Sequence, residues 1–299
     1  MQEISLENLK KLLPGPRMDE SLFDSARTED IGGGLRFKDI CDAYDRQMDR
    51  LEREHGEYGV DSLRPQAYEY INGRLAGYCP PIVLAGKGSS RAAYACVGGK
   101  CVKVAVNAAG VAQNRQELKH TKKSWLKRRY GCFVRTYGSN GSDCGVILSE
   151  CCAPCESPGQ LAQAFGLSGV DAFKTAVIEV AKAEKHDVRA AAADLRKQDK
   201  SDGSAGRAYR YFSRKWDDPA DEARGFLAGL ASQDLSEMTP GERSLLELFE
   251  FWRRNGVREL LPGDVQRYQN WGFAIRDGRI APVMLDVGFS HGVSRRYYR

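Results

Sequence analysis

The chain has 299 residues, of which 42% are hydrophobic and 28% charged, with a formal net charge of +5 at pH 7. A chain this long buries about 75% of its unfolded surface, so it can fold without disulfide or metal staples, and its composition argues against collagenous, coiled-coil or largely disordered classes. At about 150 residues per domain the length fits two domains or one two-lobed unit, and the modest charge does not by itself imply nucleic acid.

No uninterrupted apolar run approaches the roughly 18 residues of a membrane-spanning helix. The opening segment, residues 1–13, lacks the basic-then-apolar order of an export signal. The nine cysteines are then expected as free thiols, and the cytoplasm as the location, with no membrane association. Cys151, Cys152 and Cys155 cluster, but no second Cys-x-x-Cys or His pair stands at zinc-ligand spacing.

Residues 1–80 read as a mostly helical, polar extension. After Gly32-Gly33-Gly34, the stretch Lys38 to His55 carries Ile40, Ala43, Tyr44, Met48 and Leu51 as a helical apolar stripe. A short helix is expected after Pro65, with Ala67, Tyr70, Ile71 and Leu75 on one side, and Pro80-Pro81 ends the extension. The texture then changes. Ile82 to Leu84, Ala92 to Val97 and Cys101 to Val106 read as strands, with Gly98-Gly99 as a hairpin turn. A helix is expected from Ala112 to Arg129, then strands over Cys132 to Tyr137 and Gly145 to Leu148.

From Pro158 to Val257 the pattern is helical, broken by an expected exposed loop at residues 198–204. Thr239-Pro240-Gly241-Glu242 opens a strong helix, with threonine at the cap and proline in the first turn. Asp277-Gly278, between Phe273 to Ile275 and Pro282 to Leu285, is a two-residue hairpin signal. The C-terminal tail, which carries Ser290, Ser294, Tyr297 and Tyr298, reads as flexible.

Chemistry gathers in a few places. Gly86-Lys87-Gly88-Ser89-Ser90 lies between two expected strands, where glycines allow tight turning and leave amides able to approach a polyphosphate. A plain hairpin turn is the competing reading, and the Walker A ending is absent. Lys103 interrupts an apolar strand on the face opposite Val102 and Val104. It is either a solvated lysine or a phosphate ligand that needs a carboxylate such as Glu117 to position it. Asp264, Asn270 and Asp286 form a base-plus-metal layout: Asn270 and Asp286 offer hard oxygens to Mg²⁺, and Asp264 can accept a proton from an attacking hydroxyl.

Taken in order, these pieces resemble the protein-kinase-like fold: glycine loop, strand lysine, helix glutamate, hinge, catalytic loop and metal aspartate. Residues 86–94 and Asn270-Trp271-Gly272 are particularly similar to compact Ser/Thr protein kinases encoded by tailed phages. The resemblance spans residues 82–156 and 240–290. It implies an α+β, two-lobed fold: a small antiparallel β-sheet N-lobe with the hinge at 81–156, and a mostly helical, truncated C-lobe at 157–299.

It also implies roles. ATP and Mg²⁺ would be the cofactors. Gly86, Gly88, Ser89 and Ser90 would cradle the phosphates, Lys103 would hold the α- and β-phosphates and pair with Glu117, and Ala93 would sit over the base. Backbone groups of Cys151 and Cys152 would meet the adenine edge, Asn270 and Asp286 would bind Mg²⁺, and Asp264 would be the catalytic base. The implied function is an ATP-dependent phosphotransferase, a Ser/Thr protein kinase with a protein substrate, host-directed and in the host cytoplasm if viral. Two alternatives stay open: a pseudokinase serving as a nucleotide-binding or interaction scaffold, and a small-molecule phosphotransferase. The basic segment Lys119 to Arg129 and the C-terminal arginines admit a nucleic-acid partner, although a solvated helix face is the favoured reading.

The sequence departs from the family pattern in definite ways. Arg91 stands where the third loop glycine is usual, and no His-Arg precedes Asp264. Asp264 and Asn270 are six positions apart rather than five, and the metal motif is Asp286-Val287-Gly288. Eleven residues follow Gly288, so against the family pattern the usual activation segment and peptide-docking platform are expected to be missing.

Overall fold

A computed structural model describes residues 29–56, 59–121, 130–141, 143–201 and 219–298. The chain is α+β with antiparallel sheets. Its internal contacts divide it into two units. The first holds the described residues of Met1–Arg129, Val134–Ala153 and Asp286–Arg299, and the second holds Tyr130–Phe133 and Pro154–Leu285. No helix among the described residues is long and apolar enough to cross a membrane.

The first unit begins with a two-stranded ribbon, β1 (Asp30–Gly32) and β2 (Leu35–Arg36), turned by Gly33 and Gly34 at positive φ. Helix α1 (Phe37–Glu54) follows and buries Ile40, Ala43, Tyr44, Met48 and Leu51, the stripe expected from its spacing. Helix α2 (Val60–Ala76) starts five residues before Pro65, not after it. Pro65 is exposed, so the carbonyl it leaves without a helical partner can turn to water, which makes the interior proline tolerable. The buried face of α2 is Leu63, Arg64, Ala67, Tyr68, Ile71 and Leu75. Tyr68, not Tyr70, faces the core.

A five-stranded antiparallel sheet comes next in the order β3-β4-β5-β7-β6. Its strands are β3 (Val83–Lys87), β4 (Arg91–Cys96), β5 (Lys100–Ala105), β6 (Thr136–Ser139) and β7 (Val146–Glu150). β3 runs on through Gly86 and Lys87, which pair with Ala93 and Ala92, and a bulge lies between Leu84 and Gly86. The expected strand from Cys132 therefore shrinks to Thr136–Ser139. Phe133 instead bridges Met284.

The period of two divides the sheet residues cleanly. Tyr94, Val102, Val104, Val146 and Leu148 join Ile40, Tyr44, Met48 and Tyr68 of α1 and α2 in one apolar core. The opposite face carries Arg91, Ala93, Cys101 and Lys103. Helix α3 (Ala108–Thr121) begins four residues before the expected Ala112, and its continuation at 122–129 lies outside the described residues.

The second unit is mostly helical: α4 (Pro158–Ala164), α5 (Val170–Lys182), α6 (Val188–Ser201), α7 (Pro219–Ser232) and α8 (Pro240–Asn255). Helix α6 runs into the segment expected as a loop, whose remainder from 202 lies outside the described residues. Thr239 and Glu242 form the capping box of α8, each side chain satisfying the other's backbone amide. Gly241 lets α8 approach α4, since a Cβ there would lie 2.0 Å from the Ala164 carbonyl oxygen. The hairpin β8 (Trp271–Arg276) and β9 (Arg279–Met284) turns at Asp277-Gly278, both at positive φ, as an Asp-Gly two-residue turn requires.

The tail after Asp286 belongs to the first unit and is not a free end. Helix α9 (His291–Tyr297) is capped by the Ser290 hydroxyl, which accepts from the Val293 amide. Tyr298 stacks edge-on against Phe289 at 5.0 Å and its hydroxyl accepts from Gln113 at 2.8 Å. Local capping and this anchor order a segment whose composition suggested flexibility. The part of the expected helical extension before residue 29 lies outside the described residues.

Candidate functional site

Lys103 projects from the middle of β5 on the face away from the α1–α2 core, where its cross-strand neighbour is Ala93. Ala93 in turn pairs with Gly86 on β3. Small residues therefore flank the lysine on the β4 side, and Ile147 on β7 stands on the other. Its Nζ donates to Glu117 Oε1 at 2.6 Å, and Glu117 is fully buried. The spacing that made Glu117 available to Lys103 is realised, and neither residue is a solvated surface charge.

Arg91 enters the same cluster from the first residue of β4. Its Nη1 donates to Glu117 Oε2 at 2.8 Å and to Asn114 Oδ1 at 3.2 Å, while Nη2 meets Asp286 Oδ1 at 2.5 Å. Asp286 Oδ1 also accepts from the Gly288 amide at 3.0 Å, which fixes the Asp-x-Gly turn. Burial pushes the Asp286 carboxyl up, but Arg91 first and Lys103 next outweigh it and hold the group below its ordinary value. Burial likewise disfavours charge on Arg91, and the two carboxylates more than restore it.

Helix α3 supplies most of the frame. Gly110, Gln113, Asn114 and Glu117 stand at i, i+3, i+4 and i+7, one face of a helix. All four are buried. Asn114 also donates to the Cys144 carbonyl at 2.8 Å. Gln113 accepts from the Ser90 hydroxyl and donates to Tyr298, so it ties the β3–β4 turn to the tail. Sequence reading found Glu117 and missed Gln113 and Asn114 as well as the pairing role of Arg91. The signal was present: a run of polar side chains at helical spacing on the face that also carries the glutamate.

The expected glycine loop is shorter than the sequence suggests. Gly86 and Lys87 belong to β3, leaving Gly88, Ser89 and Ser90 as the turn. Gly88 donates its amide to the Arg91 carbonyl at 2.8 Å, Ser89 accepts at its carbonyl from Asn107, and the Ser90 carbonyl accepts from Val106. Lys87 shares the sheet face of Ala92 and lies 4.6 Å from the Tyr68 ring centroid, near α2. At the expected hinge, the Cys151 amide already donates to the Gly99 carbonyl at 2.7 Å, and burial pushes the Cys151 thiol up to about 12. Cys152 is half-buried beside it.

Asp264 and Asn270 lie in the second unit and are brought together there. Asn270 Nδ2 donates to the Asp264 carbonyl at 3.0 Å and approaches its Oδ1 at 3.5 Å. A helical turn at Pro262–Val265 and a 3₁₀ turn at Tyr268–Asn270 fold the chain back, so six-residue spacing does not separate them. Arg267 stands 3.9 Å from Asp264 and is largely exposed. Trp271 donates its indole N–H to the Val265 carbonyl at 2.7 Å and is wholly buried, a structural anchor for this loop.

The residues bear on a divalent cation as follows. Asp286 in the first unit and Asn270 in the second each carry a hard oxygen of the type Mg²⁺ takes. One Asp286 oxygen is already shared between a guanidinium and an amide, which leaves Oδ2 for any metal. Among the described residues no group of three or more His, Cys, Asp or Glu gathers as a metal site, so Asp286 would offer a metal one carboxylate oxygen. Comparison of the chain with family models, with curated proteins and with solved structures yields no match.

Proposed function

We propose that the chain is an ATP-dependent phosphotransferase of the protein-kinase-like type, acting on Ser or Thr of a protein substrate. The observation that carries this reading is the buried Lys103–Glu117 pair with Asp286 tied into the same cluster. A lysine and a glutamate are rarely taken fully out of water without a reason, because their desolvation is costly. A lysine held by a carboxylate beside a second carboxylate is the arrangement phosphoryl transfer uses to position and neutralise phosphate oxygens.

In this reading Lys103 holds the nucleotide phosphates, Glu117 orients Lys103, and Asp286 binds the metal. Asp264 accepts the proton of the attacking hydroxyl, and Asn270 orients Asp264 or supplies a second metal ligand. A bound divalent cation would neutralise charge developing on the phosphate oxygens. Gly88, Ser89 and Ser90 are offered as the phosphate-side turn and Ala93 as the wall of the base site. The two-lobed arrangement and the phage-kinase resemblance belong to this proposal.

One observation favours a second reading, a nucleotide-binding scaffold without transfer: Arg91 neutralises Asp286. The deciding experiment incubates the full chain with ATP and Mg²⁺ and reads added phosphate by intact mass, on the protein itself and on a basic protein substrate. Transfer is expected in wild type and should fall by about 10² or more in Lys103→Ala and in Asp286→Ala. Nucleotide binding with no transfer would select the scaffold, and absence of nucleotide binding would end both readings.

A further inference from the structure

The cluster holds two buried cations, Arg91 and Lys103, the buried carboxylate Glu117 and the half-buried carboxylate Asp286. Lys103 and Glu117 compensate each other at 2.6 Å. Arg91 pairs directly with Asp286 at 2.5 Å while Lys103 adds to its charge balance as a nearby cation, and a guanidinium stays protonated at any working pH. Both terminal nitrogens are engaged: Nη1 with Glu117 and Asn114, Nη2 with Asp286. Helix α3 locks Glu117 and Asn114 in place, so Arg91 cannot swing away without leaving two buried acceptors unpaired.

We propose that Arg91 is the resident cation of Asp286, so that a divalent metal ion binds this carboxylate weakly and in competition with it, and Arg91 sets the metal requirement of the site. With Arg91 the four groups sum to zero charge; without it they sum to one negative charge, which attracts a divalent cation. The bonds to Asp286 Oδ1 also prevent two-oxygen chelation unless Arg91 is displaced. The inference rests on the kinase-like reading only in choosing a divalent cation as the ligand.

The test is direct Mn²⁺ binding to the full chain without nucleotide, followed by electron paramagnetic resonance of free Mn²⁺ and by calorimetry. Wild type should bind weakly, with a Kd of about 10⁻³ M, as for sites of low ligand charge. Arg91→Met should bind about tenfold more tightly, and Arg91→Met/Asp286→Asn should lose that gain, because the charge at one carboxylate decides it. Arg91→Gln keeps an amide donor for Glu117 and serves the same purpose if Arg91→Met does not fold. Arg91→Lys retains the charge and should stay near wild type. Wild-type binding tighter than about 10⁻⁵ M, or equal Mn²⁺ affinity in wild type and both neutral variants, would overturn the proposal. So would tightening in Arg91→Lys as large as in Arg91→Gln, since loosened packing and not charge would then be the cause. Should the Mn²⁺ pattern appear while phosphate transfer is absent, the transferase reading fails and the role of Arg91 stands.

Discussion

Asp286 is pulled in opposite directions. Burial favours its neutral form, while Arg91, Lys103 and the Gly288 amide favour its charged form and prevail. The folded-state pKa is therefore below the ordinary value of 3.8. A depressed carboxylate adds stability that is complete above its unfolded-state pKa and is lost as pH falls through the folded-state one. Asp286→Asn removes that contribution at neutral pH, since its amide oxygen can still accept from Arg91 but carries no charge. The variant should unfold at lower urea than wild type at pH 7, and the gap should narrow as pH falls below the ordinary carboxylate value of 3.8. A gap that stays constant over that range would show that the Arg91–Asp286 pair carries no charge-dependent stability.

At the scale of elements, helix α3 shows why local sequence rules stop short. Gly110 lies in the first turn of the helix, its amide donating to Asn107 Oδ1, where replacing glycine by alanine gains at most about 1 kcal/mol. Here a Cβ would sit 2.0 Å from the Ser90 carbonyl oxygen and 3.1 Å from the Ala105 Cα. Overpacking of this kind costs about 3 kcal/mol, at the upper end of its range, because both neighbours are backbone. The steric term wins, so Gly110→Ala should be destabilised in urea melts despite its better propensity. A variant as stable as wild type would mean that α3 can retreat from the β3–β4 turn.

The same contrast explains what could be read in the sequence. The hairpin at Asp277-Gly278, the capping box of α8 and the stripe of α1 depend on residues close in the chain, and all three were legible. Pro65 within α2 and Gly86 within β3 were not, because exposure of one and cross-strand pairing of the other depend on distant partners. In the candidate site, Lys103 and Glu117 stood out as charges in apolar surroundings. Arg91 read as a defect in a glycine loop, since only its three acceptors, 23 or more residues away, reveal its function.

At the scale of the first unit, the helices ahead of the sheet are part of its core and not an appendage. Tyr94, Val102, Val104, Val146 and Leu148 are each at most 3% exposed, beneath α1 and α2. Gly145 admits the Tyr44 ring, since a Cβ there would lie 2.2 Å from it. Arg64 then fastens the arrangement, donating to Asp143 at 2.7 and 2.9 Å and to the Tyr44 hydroxyl at 3.1 Å. Burying a large apolar side chain contributes about 1.5–3 kcal/mol. Five of them on the sheet alone thus approach the entire net stability of a domain, about 5–15 kcal/mol. A chain beginning at residue 81 should therefore bind a hydrophobic dye and lose its cooperative thermal transition, although every residue of the Lys103–Glu117–Asp286 cluster is retained. Cooperative unfolding of that shortened chain, at the wild-type midpoint and without dye binding, would show that the sheet face needs no cover and that α1 and α2 serve something other than the core.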